Sequence, residues 1–328
     1  MSDATPLVLV LGATGFTGQS IVDGLLASGN FRIAAMVRPG SVSKPAAQKL
    51  RASGVDIRAG ELTDSAEALK EILAGVDIVV SAVSAWAVDD QRPLLAVAKE
   101  LGVKRVVPGD WATPGEKGIR WLHDKKLAVR DYVKELGLHY TFIDVGWWMQ
   151  GALPLPSNST AQMRDISWTI YGDGTNKTLL TELSHIGTYV ARILADPRTV
   201  NQAVIIWEDE PTQLEAHEIG ERASGEAETL KTKRIYVSAD EIVQRIKRGH
   251  EQVAQNPEST AVKFALLAAQ YMYSIHILGE NSLEAAKRLG YLDVRELYPD
   301  VPTVSLEEYA KVFYGDAATQ QIHFDRAG

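Results

Sequence analysis

The 328-residue sequence contains no cysteine. Disulfides, thiolate nucleophiles and zinc–thiolate sites are therefore excluded. Its seven histidines form no H-E-x-x-H motif, and we expect no metal site. The 34 lysines and arginines are outnumbered by 42 acidic residues, which gives a net charge of −8. Because nucleic-acid binding depends on concentrated basic surface, we expect no nucleic-acid partner.

Long hydrophobic segments are also lacking. The longest apolar stretch, residues 261–278, is interrupted by Lys263, Gln270 and His276, and it predicts a buried helix rather than a membrane span. The first six residues are few and polar, and we expect no signal or transit peptide there. With 45% hydrophobic and 23% charged residues, the composition is that of a globular protein, and we expect a cytoplasmic location without a membrane partner.

A glycine-rich turn near the N-terminus is the strongest motif present. Residues 7–11 predict a buried parallel strand, and the apolar spacing of residues 19–27 predicts a helix. The G-x-x-G-x-x-G spacing between them is a variant of the dinucleotide-binding fingerprint. Glycine lets a pyrophosphate approach the backbone and the amides of a helix start. The loop residues predicted to bind the cofactor are Gly12, Thr14, Gly15, Phe16, Thr17 and Gly18.

The end of the second predicted strand, residues 31–37, indicates which nucleotide is bound. NAD-selective folds place an acid there to accept hydrogen bonds from the ribose 2′-hydroxyl. Here Arg38 follows, with Ser43 and Lys44 shortly after, and a guanidinium suits a 2′-phosphate. We therefore expect NADP(H), the alternative being that these are ordinary solvated charges. Later strand ends add four predicted cofactor contacts: Leu62, Ala82, Val83 and Val145.

Strands and helices alternate through the first half of the chain. This alternation predicts an α/β protein with a Rossmann-type doubly wound parallel sheet. We expect residues 1–150 to form an NADP-binding domain that also receives residues 180–208. The remainder, residues 151–328, is expected to form a smaller, mainly helical substrate domain. The cleft between them would lie at the carboxyl edge of the sheet.

Large apolar side chains follow several predicted strand ends. The residues predicted to form the substrate pocket are Trp86, Trp111, Trp147, Trp148, Met149 and Tyr271. The run from Trp147 to Met149 fits either a lid over an apolar ligand or a packing patch between domains. No arginine or lysine is obviously placed to hold a substrate carboxylate or phosphate. The partner we expect is thus a small, aromatic or apolar, neutral molecule.

Together these motifs resemble the isoflavone reductase-like branch of the NmrA-type atypical short-chain dehydrogenases. The resemblance covers essentially the whole chain and is carried by the glycine loop and by residues 37–45, 103–108, 126–130, 171–174 and 298–301. Residues 109–112 read Gly-Asp-Trp-Ala where the family has Ser-Glu-Phe-Gly, but an acid still precedes an aromatic residue. The resemblance implies NADPH-dependent reduction of phenylpropanoid or isoflavonoid aromatics, with Lys126 at the place of the family's catalytic lysine.

Lys126 is the predicted catalytic residue. No tyrosine has a lysine four residues later, so the usual Tyr-x-x-x-Lys pair is missing. We expect Lys126 to bond the nicotinamide ribose and to supply or relay a proton. Lys125 could face the cleft instead, and His123 is expected to be a surface residue.

A second interpretation is a non-catalytic, NADP(H)-sensing regulator. In such a protein Trp111 or Trp148 could fill the space beside the nicotinamide, whereas an enzyme needs an open pocket there with Lys126 facing it. The sequence leaves the oligomeric state open, with a homodimer as one option.

Overall fold

A computed structural model describes residues 5–161 and 164–315. The strands are β1 (Leu7–Leu11), β2 (Arg32–Val37), β3 (Asp56–Ala59), β4 (Ile78–Ser81), β5 (Arg105–Val107), β6 (Thr141–Asp144), β7 (Trp147–Trp148), β8 (Thr169–Tyr171), β9 (Leu180–Thr181), β10 (Gln202–Ile205), β11 (Ile235–Val237) and β12 (Tyr291–Asp293). The helices are α1 (Phe16–Ser28), α2 (Pro45–Ala52), α3 (Ala66–Ile72), α4 (Arg92–Glu100), α5 (Trp121–Glu135), α6 (Arg164–Ser167), α7 (Ile186–Ala195), α8 (Gln213–Ala223), α9 (Ala227–Lys233), α10 (Ala239–Gln255), α11 (Thr260–Met272), α12 (Leu283–Arg288), α13 (Val294–Leu297) and α14 (Leu306–Gly315).

The main sheet is parallel and has the strand order β3-β2-β1-β4-β5. All five residues of β1 are buried, because helices cover both faces of a parallel sheet. A second parallel sheet, β12-β10-β6, is connected to the first through the bridge between Val106 and Tyr140. The strand order changes direction between β1 and β4, where open α/β sheets bind ligands. The predicted doubly wound fold is confirmed.

Helix α7 packs against α1 even though some 160 residues separate them in sequence. Their backbones meet at two glycines: a Cβ added to Gly24 would lie 2.1 Å from the carbonyl carbon of Gly187. The Gly187 amide also donates to Ser20 Oγ at 3.0 Å. Close approach of the helices therefore requires glycine at this crossing.

Two predicted elements differ in the structure. The sequence of residues 166–171 predicts one short strand, but α6 occupies the first part of this segment and β8 the second. The Thr169 hydroxyl donates to the carbonyl of Asp165 at 2.6 Å, which stabilises a helical turn at this point. The helix predicted over residues 259–278 ends as α11 at Met272 and continues as a π-helical turn, Tyr273–Ile277.

Helices α2 and α9 and strands β11 and β12 were not predicted. Each is short, so its periodicity is weak in the sequence. None of the helices in the described part of the chain is long and apolar enough to cross a membrane.

Candidate functional site

A cavity of about 2010 Å³ lies at the carboxyl edge of the main sheet. The loops that follow β1 to β6 line one side of it, because parallel strands all end at the same edge. The other side is formed by residues from the second half of the chain, including parts of α8, α10 and α11. The cavity therefore lies between the carboxyl edge of the sheet and elements from the second half of the chain.

The glycine loop after β1 forms a tight turn against β4. Gly12 has φ +73°, and an added Cβ would lie 2.3 Å from the carbonyl oxygen of Ala82. Gly15 occupies the N-cap of α1 and offers no side chain to cap it, and the first turn of α1 contains no acid. Since a helix leaves its first amides without intrahelical partners, this end attracts an anionic group.

Most of the predicted cofactor-binding residues line the cavity. They are Gly12, Thr14, Gly15, Phe16, Thr17, Arg38, Leu62, Ala82, Val83 and Lys126. Ser41, which was not predicted, lies on the same wall as Arg38. It ends a 3₁₀ turn after β2, Pro39–Ser41, and no pattern in the sequence singled it out.

Four predicted cofactor contacts lie off the cavity wall. Gly18 is inside α1, where its missing Cβ makes room for the carbonyl of Gly12. Ser43 and Lys44 lead into α2, with Lys44 as its N-cap. Val145 is fully buried, and its amide donates to the carbonyl of Ala112. Gly18 and Val145 support the loops around the cavity from behind.

Lys126, rather than Lys125, lines the cavity. Its side chain is buried, and its ammonium donates to the carbonyl of Asp110 in the loop after β5. The neighbouring Lys125 is 47% exposed and pairs with Asp89 at 2.8 Å. One step along a helix turns a side chain by about 100°, so only one of the two can face inward.

A buried ionic cluster lies behind Lys126, and sequence analysis did not predict it. Arg130 Nε donates to Asp110 Oδ2 at 3.0 Å, and Arg130 Nη2 donates to Asp144 Oδ2 at 2.9 Å. The Tyr291 hydroxyl accepts from Arg130 Nη1 at 2.7 Å and donates to Asp144 at 2.5 Å. The cluster joins α5, β6, β12 and the loop that carries Asp110. Two signals were available: Arg130 follows Lys126 by four residues, and Asp144 ends an apolar strand.

The two carboxyl groups of this cluster differ in acidity. Burial raises the pKa of Asp110, although Arg130 partly opposes this. Burial is the largest single influence on Asp144 too, but the charge of Arg130, the hydrogen bond from Tyr291 and the other nearby groups together outweigh it and lower the pKa of Asp144 below its usual range. Asp144 is thus the fixed counter-ion of Arg130, while Asp110 is the more readily protonated acid beside Lys126.

Trp111 adopts a backbone conformation that is unusual for a non-glycine residue, with φ 45°. Its amide donates to the carbonyl of Ile143 at 3.1 Å, and its indole Nε1 donates to the carbonyl of Ser81 at 2.6 Å. Such strain persists only where the surroundings impose it, and it clusters at functional sites. The strained residue directly follows Asp110, the residue that holds Lys126.

Four of the predicted substrate residues line the cavity: Trp111, Trp147, Trp148 and Tyr271. Trp147 also packs against Tyr271, with ring centroids 6.0 Å apart. Trp147 therefore both lines the cavity and takes part in packing, which fits both of the expected roles, lid and packing patch. Met149 lies off the wall because it is fully buried in a separate core with Leu153 and Leu155. Trp86 stacks obliquely on Trp121, 6.0 Å away, and is likewise off the wall.

The second half of the chain adds polar residues to the cavity wall that sequence analysis missed. They include Thr178, His217, His276, Arg245 and Arg248. Arg245 pairs with Glu241 at 2.6 Å, and both arginines are exposed on α10. The expectation that no arginine would be placed to meet a charged substrate therefore needs correction, because two of them reach the cavity.

His123 was expected at the surface but is 1% exposed. Its Nε2 lies 2.9 Å from the carbonyl oxygen of Gly115, and burial lowers its pKa to about 3. The buried face of α5 includes His123 as well as hydrophobic residues, because this face packs on the loop after β5. In residues 5–161 and 164–315, no group of three or more histidine or acidic side chains is arranged to hold a metal ion.

Comparisons with known proteins agree with the geometry. A model of the NmrA-like family matches residues 4–310. The asnovolin J 5′,6′-dehydrogenase of Aspergillus novofumigatus is 35% identical over 313 residues, which are 93% of this chain and 94% of that protein. The crystal structure of an isoflavone reductase has a TM-score of 0.76 at 25% identity and covers 94% of this chain and 100% of its own.

A further solved structure, the binary complex of leucoanthocyanidin reductase with NADPH from Vitis vinifera, has a TM-score of 0.74 at 23% identity. The match covers 94% of this chain and 100% of that one. The range matched by the family model includes every element that lines the cavity, from the glycine loop to the π-helical turn.

Proposed function

The chain belongs to the NmrA-like family, and from that membership we propose that it is an NADPH-dependent reductase of a small, neutral, ring-containing molecule, such as an aromatic ketone, an enone or a benzylic ether. The oxidoreductase class and the NADP(H) cofactor rest on the relatives named above, two of which are reductases and one of which is bound to NADPH. The observation that carries the proposal is a large cavity at the sheet edge with Lys126 on its wall.

The residues around the glycine loop fit NADP(H). The backbone at Gly12 and the N-terminus of α1 suit the pyrophosphate, and Arg38 with Ser41 suits a 2′-phosphate. The strand-end residues Ala82 and Val83 would border the ribose nearest the nicotinamide. When bound, the cofactor supplies a hydride to a substrate carbon.

Lys126 is positioned to supply the proton that accompanies this hydride. Its ammonium is held by the carbonyl of Asp110, so the side chain keeps one orientation on the cavity wall. Donation of a proton to the substrate atom next to the reduced carbon leaves a neutral amine, which regains a proton from solvent. General acid catalysis of this kind contributes about 10²–10⁴-fold in rate.

The interior of the cavity supports an uncharged substrate. Burial lowers the pKa of His276 to about 3 and that of His217 to about 4, so neither histidine is charged near neutral pH. The cations Arg245 and Arg248 lie on exposed positions of α10, and the first of them has an acidic partner. A charged group placed among the buried histidines would lose its hydration without gaining a counter-ion there.

The test is a screen of the purified protein for oxidation of NADPH with aromatic ketones, enones and benzylic ethers. Because one relative is named a dehydrogenase, the screen also follows reduction of NADP⁺ with the corresponding alcohols and saturated ketones. Turnover with at least one neutral class, and tighter binding of NADPH than of NADH, is expected. Tight NADPH binding without turnover of any class would favour a regulator that senses NADP(H), and preference for NADH would contradict the role of Arg38.

A further inference from the structure

One wall of the cavity carries a group of polar side chains that take no part in the proposed hydride transfer. The group consists of Thr178, His217 and His276, and we refer to it as the polar wall. It is separate from Lys126 and from the glycine loop, since its residues come from the segment before β9, from α8 and from the π-helical turn.

The three residues are brought together by contacts between their elements. The amide of Thr178 donates to the carbonyl of Pro211 at 2.9 Å, just before α8, which carries His217. Two residues earlier, Asn176 Nδ2 donates to the backbone carbonyl of His276 at 2.7 Å. The polar wall is therefore formed by tertiary packing. The sequence spacing of its three residues does not predict that they lie close together.

Two atoms of the polar wall are buried and lack a hydrogen-bond partner among the described residues. They are Oγ1 of Thr178 and Nδ1 of His276. The His276 ring is held parallel to Tyr171, at 5° and with centroids 5.6 Å apart, so it cannot easily turn away to find a partner. Because an unsatisfied buried polar group is destabilising, two such atoms in residues of one cavity wall are a feature to be explained.

Both imidazoles of the polar wall are neutral, for the reason given above. A neutral imidazole offers one N–H donor and one acceptor, and a threonine hydroxyl can act in either role. These groups match a hydroxyl or a carbonyl oxygen, which donates or accepts hydrogen bonds without carrying charge. They do not match a carboxylate, which needs donors only and gains most from a cation.

We propose that Thr178, His217 and His276 form a binding subsite for an uncharged oxygen of the substrate, a phenolic hydroxyl or a ketone, that is remote from the carbon receiving the hydride. This inference rests on the proposed reductase function and makes it more specific. The substrate then has a reducible group facing Lys126 and a second oxygen function on another ring. The volume of the cavity, about 2010 Å³, leaves room for both beside a nucleotide.

The experiment measures binding rather than turnover. The protein is saturated with NADP⁺, which prevents reduction, and is titrated calorimetrically with chalcone, 4-hydroxychalcone, 4′-hydroxychalcone and 4-carboxychalcone. These compounds share an enone and differ only in the remote group. We expect at least one hydroxychalcone to bind about two- to tenfold more tightly than chalcone, as one additional hydrogen bond allows. We expect 4-carboxychalcone to bind more weakly than chalcone and than that hydroxychalcone.

Two variants test whether the polar wall is responsible. Thr178→Val keeps the shape of the side chain, and His276→Phe keeps a ring against Tyr171. In each, the ratio of the hydroxychalcone affinity to the chalcone affinity should fall to about one, because the remote hydroxyl loses its hydrogen-bond partner. His139→Phe, at an exposed position off the cavity, is the matched control and should keep the full advantage. Thr178→Val suffices if His276→Phe does not fold.

Three results would overturn the inference: no preference for a hydroxychalcone, a preference that persists in both variants, or no binding of any chalcone up to its solubility limit. Tightest binding of the carboxylate would also overturn it and would instead implicate Arg245 and Arg248. Failure of the reductase proposal is distinguishable, because the hydroxychalcone preference could then be present in the NADP⁺-loaded protein while no compound supports NADPH oxidation.

Discussion

Two adjacent lysines on α5 meet opposite surroundings. Lys126 is buried on the cavity wall and held by the carbonyl of Asp110, whereas Lys125 is half exposed and paired with Asp89. Behind Lys126, Arg130 pairs with two buried aspartates, Asp110 and Asp144, and the charge of Lys126 offsets the second negative charge. At the scale of single residues, then, position on the helix decides which of two identical side chains can act in chemistry.

This contrast gives a direct test of the catalytic residue. Lys126→Ala should lower kcat with any substrate found in the screen by about 10²–10⁴-fold, because the proton donor is lost. Lys125→Ala, its matched control, should change kcat by less than about twofold, since exposed ion pairs contribute little. Steady-state kinetics with NADPH measure both. Undiminished turnover by a folded Lys126→Ala protein would remove this residue from the mechanism.

A second pair of cations tests cofactor selection. Arg38 lines the cavity, while Lys44 lies off it at the start of α2. Arg38→Ala should weaken NADPH binding about tenfold and leave NADH binding within about twofold, because only NADPH carries the 2′-phosphate. Lys44→Ala should affect neither by more than about threefold. Fluorescence titration gives these constants, and equal losses for the two nucleotides in Arg38→Ala would contradict the assignment.

Among the elements, the crossing of α1 and α7 places the strictest requirement on the amino-acid sequence, because it requires glycine. Gly24 and Gly187 bring the two backbones so close that a single methyl group does not fit between them. This crossing holds α7, from the middle of the chain, against the helix that follows the glycine loop. The position of the glycine turn thus depends on a helix that is distant in sequence.

Gly24→Ala should therefore destabilise the protein by about 1–3 kcal/mol, the usual cost of overpacking a tight interface. Gly40→Ala is the control: its added Cβ has nothing within 4 Å and its backbone does not require glycine. Both substitutions restrict the unfolded chain in the same way, so their difference isolates the clash. Urea unfolding measures it, and equal stability of the two variants would show that the helices can move apart freely.

Sequence patterns predicted most strands and helices of the first half, with α2 as an exception, because most of these elements are strongly apolar. Residues 7–11 and the glycines after them could be assigned from local features alone, whereas Lys126 became a candidate through the family resemblance. The ionic cluster and the polar wall could not be assigned in either way. Asp144 and Tyr291 are 147 residues apart in sequence. They meet because their strands, β6 and β12, both pair with β10 in the second sheet. Pairings of this kind depend on strand order, which local periodicity does not contain.

At the scale of the whole molecule, three buried histidines link stability to pH. Burial lowers the pKa of His123 and His276 to about 3 and that of His217 to about 4, against 6.5 for an exposed imidazole. Between these values the unfolded chain binds more protons than the folded one, so acid favours unfolding. Asp110 and His185, whose pKa values are raised, act in the opposite direction, but they are two groups against three.

We therefore expect the free energy of unfolding to fall as the pH is lowered from about 6.5 towards 4. Urea titrations at successive pH values measure this dependence. His276→Phe should make it shallower, because one of the three groups is removed, whereas His139→Phe, at an exposed position, should leave it unchanged. Constant or increasing stability over this interval would mean that the histidines are accessible to protons in the folded state.

The division of the cavity between the two halves of the chain has a practical consequence for protein engineering. In our proposals, coenzyme binding depends on the loops up to Lys126, whereas recognition of the second ring belongs to the segment before β9, α8 and the π-helical turn. A combinatorial library confined to residues 213–217 and 264–276 would therefore diversify substrate scope while leaving hydride delivery intact. The same separation offers natural selection a way to recruit this scaffold for new metabolites.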